Sequence, residues 1–307
     1  MGNFRVLVFL GLIGCALSSV PERSADTNTV FFRFYARNGR HIDINIRDAA
    51  TKLLPLLDKN QMTTIYIHGY TESVDAESVV TVTDAYLSSG LTGNIIAIDY
   101  RQIADRNYVV GVINVDNVGK AIAGVLNKLI AGGLNPKKIH IVAHSLGAQV
   151  AGHVGKYVTI KILRITGLDP AGPAFYTGRY LRKSDALFVD IIHTDAGIFG
   201  ETHNVGTVDF WPNKGHRPQA GCPLISLSQK DEAHCDHHRS WRYYAESVRR
   251  PNAFLAVKCD NSEEFDSGAC RHANTIIMGW KTPTTASGTY YLRTNSKSPF
   301  GLGKRGI

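Results

Sequence analysis

The chain has 307 residues, of which 44% are hydrophobic and 20% charged, and it carries a formal net charge of +8. That length and apolar content support one sizeable core and exclude an extended disordered chain. The positive balance suits an anionic lipid surface or simple solubility, but Lys and Arg are spread along the chain and not clustered, so no nucleic-acid partner is expected.

In chain order, Arg5 precedes an apolar run over 6–17, with small residues at Ala16, Ser18 and Ser19. This reads as a secretory signal peptide over 1–18, because a run that short cannot cross a bilayer, which takes about twenty residues. Residues 19–30 form a short leading segment, and one domain is expected over 31–300, with no internal repeat or linker. Short β-branched runs at 63–68, 94–99, 138–143, 162–168 and 186–193 read as core strands separated by helical segments. That alternation predicts an α/β fold with a mainly parallel central sheet flanked by helices. Residues 109–134 carry apolar side chains at helical spacing and stop at Gly132-Gly133 and Pro136. From 197 to 235 the pattern loosens into loops, 238–250 reads as a helix stopped by Pro251, 290–293 as a last strand, and 301–307 as a flexible tail. Beyond the signal four cysteines remain, an even count that suits two disulfides in an oxidising compartment. Pairing of sequence neighbours, Cys222 with Cys235 and Cys259 with Cys270, is the simplest of the three arrangements.

The run 138–143 leads into His144-Ser145-Leu146-Gly147 and then into a good helix start. Strand, serine with a small residue two places to each side, then helix describes a nucleophile elbow, in which bulky flanking side chains would collide with the neighbouring strand and helix. Ala143 stands where glycine is usual, one methyl larger. A serine hydroxyl is a poor nucleophile near neutral pH and needs a base within reach, and the base needs an acid to orient it. In elbow-type hydrolases the acid and then the histidine follow the serine in chain order. Asp169 closes the strand at 162–168 and is the first candidate acid, with Asp185, Asp190 and Asp195 as rivals. For the base, His193, His203, His216 and His272 fit poorly, and His234, His237 and His238 cluster beside Cys235; spacing does not choose among the three. Backbone N–H groups for a developing oxyanion would come from Leu146 and from Tyr70 in Ile67-His68-Gly69-Tyr70, where Gly69 lets the chain turn.

These residues resemble the animal pancreatic-lipase family. The likeness rests on Ile67-His68-Gly69-Tyr70, on the run from His144-Ser145-Leu146-Gly147 to Gly152, and on Gly167-Leu168-Asp169-Pro170-Ala171-Gly172-Pro173. Asp190-Ile191-Ile192-His193-Thr194 and Cys235-Asp236-His237-His238-Arg239-Ser240 complete it. The resemblance implies a serine ester hydrolase with Ser145 as nucleophile, Asp169 as acid, His237 as base, and Tyr70 and Leu146 as oxyanion donors. It also implies that the Cys222–Cys235 bridge closes the family's lid. Only 223–234 lie between those cysteines, and 197–208 resembles a shortened form of the loop facing the lid. Within the family such short loops accompany phospholipase A1 activity, with a neutral triacylglycerol or galactolipid lipase as the alternative. A non-catalytic lipid-binding relative is a third, remoter reading. The implied substrate is a phospholipid or other lipid ester met at a membrane or lipid-droplet surface. No cofactor is implied. Calcium is not expected, since Asp185 matches one acidic ligand of the family's site and Arg182 stands where another would be. The larger lipases' C-terminal β-sandwich has no counterpart in the sequence, so no colipase partner is implied.

Overall fold

The computed structural model describes residues 25–175, 180–224 and 234–307; the expected signal peptide lies outside them. Its strands are β1 (Phe31–Tyr35), β2 (His41–Asn45), β3 (Thr63–Ile67), β4 (Asn94–Asp99), β5 (Ile139–His144), β6 (Arg164–Leu168), β7 (Phe188–Ile192), β8 (Val208–Pro212), β9 (Leu255–Lys258), β10 (Thr275–Ile277) and β11 (Gly288–Leu292). Among the described residues they form one 11-stranded sheet in the order β10-β9-β11-β8-β7-β6-β5-β3-β4-β1-β2. The interior pairs from β4 across to β11 are parallel, and antiparallel partners close both edges, β1 and β2 on one side and β9 and β10 on the other. This is the α/β-hydrolase arrangement.

The helices are α1 (Ile46–Leu53), α2 (Glu77–Ser88), α3 (Arg101–Ala104), α4 (Tyr108–Ala131), α5 (Leu146–Tyr157), α6 (Cys235–Arg249) and α7 (Ser262–Ser267). Strand alternation divides the core between two faces. Ile65, Ile67, Ile141 and Ile165 belong to the cluster that includes Val118 and Ile122 of α4 and Val150 and Val154 of α5. Their neighbours Tyr66 and Val142 join Val82 and Tyr86 of α2 and Trp241 and Tyr244 of α6. Both faces are therefore covered, which is why β3 and β5 are buried throughout. Each such aliphatic side chain contributes about 1.5–3 kcal/mol relative to exposure. Helix α4 is long and apolar enough to cross a membrane by length and composition. Here it is a core helix: a Cβ at Gly119 would collide with His153 of α5, so the two helices pack backbone to backbone.

Three expectations need correction. The stretch 197–235, read as loops, contains β8, and its strand character is hidden by Asp209 and Pro212. Asp209 is buried because it serves as an acceptor, for His193 Nε2 at 2.9 Å and for the amides of Val205 and Gly206. The helix expected to begin at 238 begins at Cys235, so His237 lies in its first turn. Finally, 301–307 is a packed segment, not a flexible tail: the amides of Phe300 and Gly301 donate to Glu246, Gly303 N–H to Ala253 O, and Arg293 N–H to Gly306 O.

Candidate active site

Strand β5 delivers His144, and the next residue, Ser145, adopts φ 53° and ψ −122° before α5 begins. An L-residue there is strained, and such strain persists where surrounding structure enforces it. The enforcement is visible. Ser145 N–H donates to Leu168 O at 3.0 Å, and Ala171 N–H donates to Ser145 O at 3.1 Å, so the turn is tied to both sides of Asp169. A Cβ at Gly147 would collide with the carbonyl oxygens of His68 and Ile67, which explains glycine there. Ala143 is accommodated because it pairs with Gly167 across the sheet, small residue against small residue.

Asp169 is likewise held at positive φ, 46°, and is fully buried. Its Oδ1 accepts the amides of Thr194 (2.8 Å) and Asp195 (3.0 Å), and its Oδ2 lies 2.5 Å from His237 Nδ1. A Cβ at Gly200 would stand 2.5 Å from Oδ1, so the loop around Gly200 passes directly over this carboxylate. The geometry selects among the open choices. Of the rival acids, Asp185 pairs with Lys156, Asp190 with Arg164, and Asp195 with Arg217. His193 is engaged with Asp209 and His203 with Glu201. Of the clustered three, His237 reaches Asp169, His234 stacks on Phe199, and His238 packs against His144 and Trp241.

Burial pushes the Asp169 carboxyl up to about 6, with the Thr194 and Asp195 amides opposing that rise. Burial also pushes the His237 imidazole well below its ordinary value, and the neighbouring His144 and His234 add to the depression. Near pH 7–8 the pair is thus a carboxylate beside a neutral imidazole, the protonation state a general base requires.

Ser145 is placed next to this pair through His144, whose ring centroid lies 4.6 Å from that of His237. Among the described residues Ser145 Oγ makes no hydrogen bond, so the link from hydroxyl to imidazole is not closed in this conformation. Such links are often long before substrate binds and tighten with it. Across from the serine, a Cβ at Gly69 would lie 3.2 Å from Ser145 Cβ and 3.0 Å from Glu72 Oε2. Glycine is therefore needed for close approach; the left-handed residue of this turn is Thr71, with φ 59°. Among the described residues neither Tyr70 N–H nor Leu146 N–H has an acceptor, leaving two backbone donors beside the serine. Glu72 and the His144 ring were not singled out from the sequence, because a lone carboxylate in a loop carries no periodic signal.

Both disulfides form as neighbour pairs, Cys222–Cys235 and Cys259–Cys270. The first pins the start of α6, and with it His237. At Asp185, which the resemblance matched to an acidic calcium ligand, Lys156 Nζ lies 2.9 Å from Oδ2 and 3.2 Å from Tyr180 O. The Arg182 guanidinium lies 4.7 Å from the Tyr180 ring centroid. With an ammonium on Asp185 and a guanidinium at position 182, these residues do not fit a calcium cage of oxygens. Asp169, Asp195 and His237 do bring ligand atoms within 4.8 Å of one another. That group is already committed to the Arg217 ion pair and the His237 hydrogen bond.

With this geometry in hand, the similarity to known proteins is informative. Residues 14–300 match the family model described as Lipase. Pancreatic triacylglycerol lipase of Oryctolagus cuniculus is 32% identical over 94% of this chain and 68% of its own length. Pancreatic lipase-related protein 2 of Cavia porcellus is 34% identical, covering 83% and 59%. Inactive pancreatic lipase-related protein 1 of Homo sapiens is 33% identical, covering 83% and 58%. The chain thus spans between 58% and 68% of the length of these relatives. A solved α/β serine hydrolase homologue from Coxiella burnetii superposes with a TM-score of 0.35 and 16% identity over 62% of this chain and 84% of that one. That superposition is too partial to add to the sequence match.

Proposed function

The chain belongs to the animal pancreatic-lipase family, and on that premise we propose that it is a secreted serine ester hydrolase of the phospholipase A1 type. Membership supports the coarser reading, a carboxylic ester hydrolase acting on lipids. The observation that carries the catalytic part is the buried Asp169–His237 pair beside a strained Ser145. In the proposed reaction Ser145 Oγ attacks the sn-1 ester carbonyl and passes its proton to His237 Nε2. Asp169 holds the imidazolium, and the Tyr70 and Leu146 amides receive the oxyanion. His237 then protonates the leaving alcohol, and a water activated by the same histidine releases the fatty acid.

Preference for a phospholipid rests on the rim. The Cys222–Cys235 bridge closes a short span, with the cysteines 13 positions apart. The facing loop is pinned low by the buried carboxylates of Glu201 and Asp209, which take the amides of Thr202, His203, Val205 and Gly206. A short rim suits a polar headgroup, whereas a long apolar lid favours neutral lipid. Exposed Ile198 and Leu224 on these two segments suit contact with a lipid surface, and the two disulfides suit an extracellular protein. Triacylglycerol hydrolysis is the second reading, favoured by the name of the rabbit relative. Purified protein offered mixed micelles of phosphatidylcholine and emulsified triolein is expected to release fatty acid from the sn-1 position of the former. Activity confined to triolein would remove the phospholipase reading and keep the esterase.

A further inference from the structure

We propose that Glu72 is a positioning residue of the oxyanion site: its carboxylate holds the peptide before Gly69 and the His68 ring holds the peptide after it, and together they fix the turn that aims Tyr70 N–H at the developing charge. The inference rests on the ester-hydrolase reading above and deepens it.

Gly69 N–H donates to Glu72 Oε2 at 2.5 Å. The carbonyl of the same residue lies 2.9 Å from His68 Nδ1. Tyr100 N–H donates to His68 Nε2 at 3.3 Å, which makes Nε2 the acceptor and puts the ring proton on Nδ1, where it donates to Gly69 O. Tyr100 fixes the ring further by stacking on it, with centroids 4.4 Å apart, and its hydroxyl donates to His68 O at 2.8 Å. In a trans peptide the C=O and N–H point in opposite directions. Holding Gly69 O toward His68 therefore turns Tyr70 N–H away from it. On the far side of Tyr70, Thr71 N–H donates to Ala104 O and Thr71 Oγ1 to Tyr70 O, so both flanking peptides are fixed while Tyr70 N–H keeps no acceptor among the described residues.

Glu72 also reaches the nucleophile's neighbour. Its Oε2 is 3.3 Å from His144 Nδ1. His144 Nε2 is buried without a hydrogen-bond partner, so the proton of that ring belongs on Nδ1, facing the carboxylate. One carboxylate thus ties the oxyanion turn to the residue before Ser145. Burial opposes its ionisation, but His144, His68 and the Gly69 amide hold it well below the usual carboxylate range. The charge acts on His237 as well. That ring is faced by Asp169 and Asp195 beyond β6 and β7, His144 from β5, Arg217 from the loop after β8, His234 and His238 from its own segment, and Glu72 from the turn after β3. Burial, the imidazoles of His144 and His234 and the Arg217 guanidinium lower the affinity of His237 for a proton, and Glu72 is a negative charge that opposes them.

The test compares wild type, Glu72→Gln and Glu72→Asp on soluble p-nitrophenyl butyrate, with benzeneboronic acid as the probe of the tetrahedral state. The glutamine keeps the shape and removes the charge. For it, kcat is expected to fall about 10- to 100-fold with KM within twofold, a partial loss of one oxyanion donor. The boronate Ki is expected to rise by a similar factor, and the acid limb of kcat/KM to move to lower pH. Glu72→Asp, which returns the charge on a shorter arm, is expected to restore the acid limb and recover only part of kcat. Wild-type values of kcat, Ki and acid limb in folded Glu72→Gln would overturn the proposal and leave the esterase reading standing. So would a loss that tracks only the folded fraction, with Ki and acid limb unmoved. Should Glu72→Gln not fold, Glu72→Asp decides through Ki alone, an unchanged Ki overturning the proposal. A wild type that neither turns over ester nor accepts a fluorophosphonate takes both readings down.

Discussion

Asp169 and His237 are each surrounded by groups that fix one protonation state, and this sets the expected pH dependence. Asp169 is raised to about 6 by burial, against the pull of two backbone amides. Above that pH the carboxylate and neutral imidazole coexist; below it the pair gains a proton and the base is lost. The sign is therefore an acid limb in kcat/KM with a midpoint near pH 6 that belongs to the coupled pair, not to one residue. A pH–rate profile on a soluble ester checks it, and a rate that stays flat from pH 8 to pH 4 would contradict the assignment. At this scale the sequence was only partly legible. The elbow around Ser145 and the acid closing its strand could be read from residue types, and the family resemblance pointed to His237. Spacing alone left three adjacent histidines open, since what separates them is which ring α6 turns toward Asp169. Glu72 was invisible, because its role depends on two backbone atoms of a turn whose shape no residue type announces.

Two short covalent loops make contrasting predictions for the elements they tie. Cys222–Cys235 anchors the first turn of α6, which carries His237, while Cys259–Cys270 links β9 to the turns after α7, beside the cluster of Val257, Phe265 and Tyr291. Replacing either pair by alanine removes a loop constraint worth about 3 kcal/mol, so both double variants should melt lower. Only the Cys222/Cys235 variant should also lose kcat at temperatures where it remains folded; equal kcat in the two variants would show that this bridge does not position the base. Strands β3 to β7 were legible because both faces of the sheet demand apolar residues, and their aliphatic runs outweigh isolated buried polar residues such as His140, Arg164 and Asp190. The strand β8 was not, because a buried aspartate serving a histidine and two amides looks polar in sequence though it is satisfied in the fold. The closing segment was misread because Gly, Lys and Arg supply no apolar pattern, yet its amides donate to the Glu246 carboxylate and it exchanges backbone hydrogen bonds with Ala253 and Arg293.

At the scale of the whole molecule, the sheet brings residues from the ends of β3, β5 and β6 and from α6 to one mouth. Lys156 at Asp185 supplies the positive charge that a calcium would bring. Exhaustive dialysis against EDTA is accordingly expected to leave both melting temperature and activity unchanged. Lys156→Ala should destabilise by up to about 3 kcal/mol, the low end for stranding a buried carboxylate because the lysine is partly exposed. A fall in activity on chelation, restored by calcium, would contradict this.

Convergence at that mouth is the central claim, and covalent labelling reads it most directly. Incubated with an excess of a fluorophosphonate probe near pH 8, the wild-type protein is expected to take up one equivalent, located by peptide mass spectrometry on Ser145. Ser145→Ala should take up none, and His237→Ala should label at least about a thousandfold more slowly, since members of such a triad fail as a unit. Modification of another residue, or equal labelling rates with and without the His237 ring, would contradict the account.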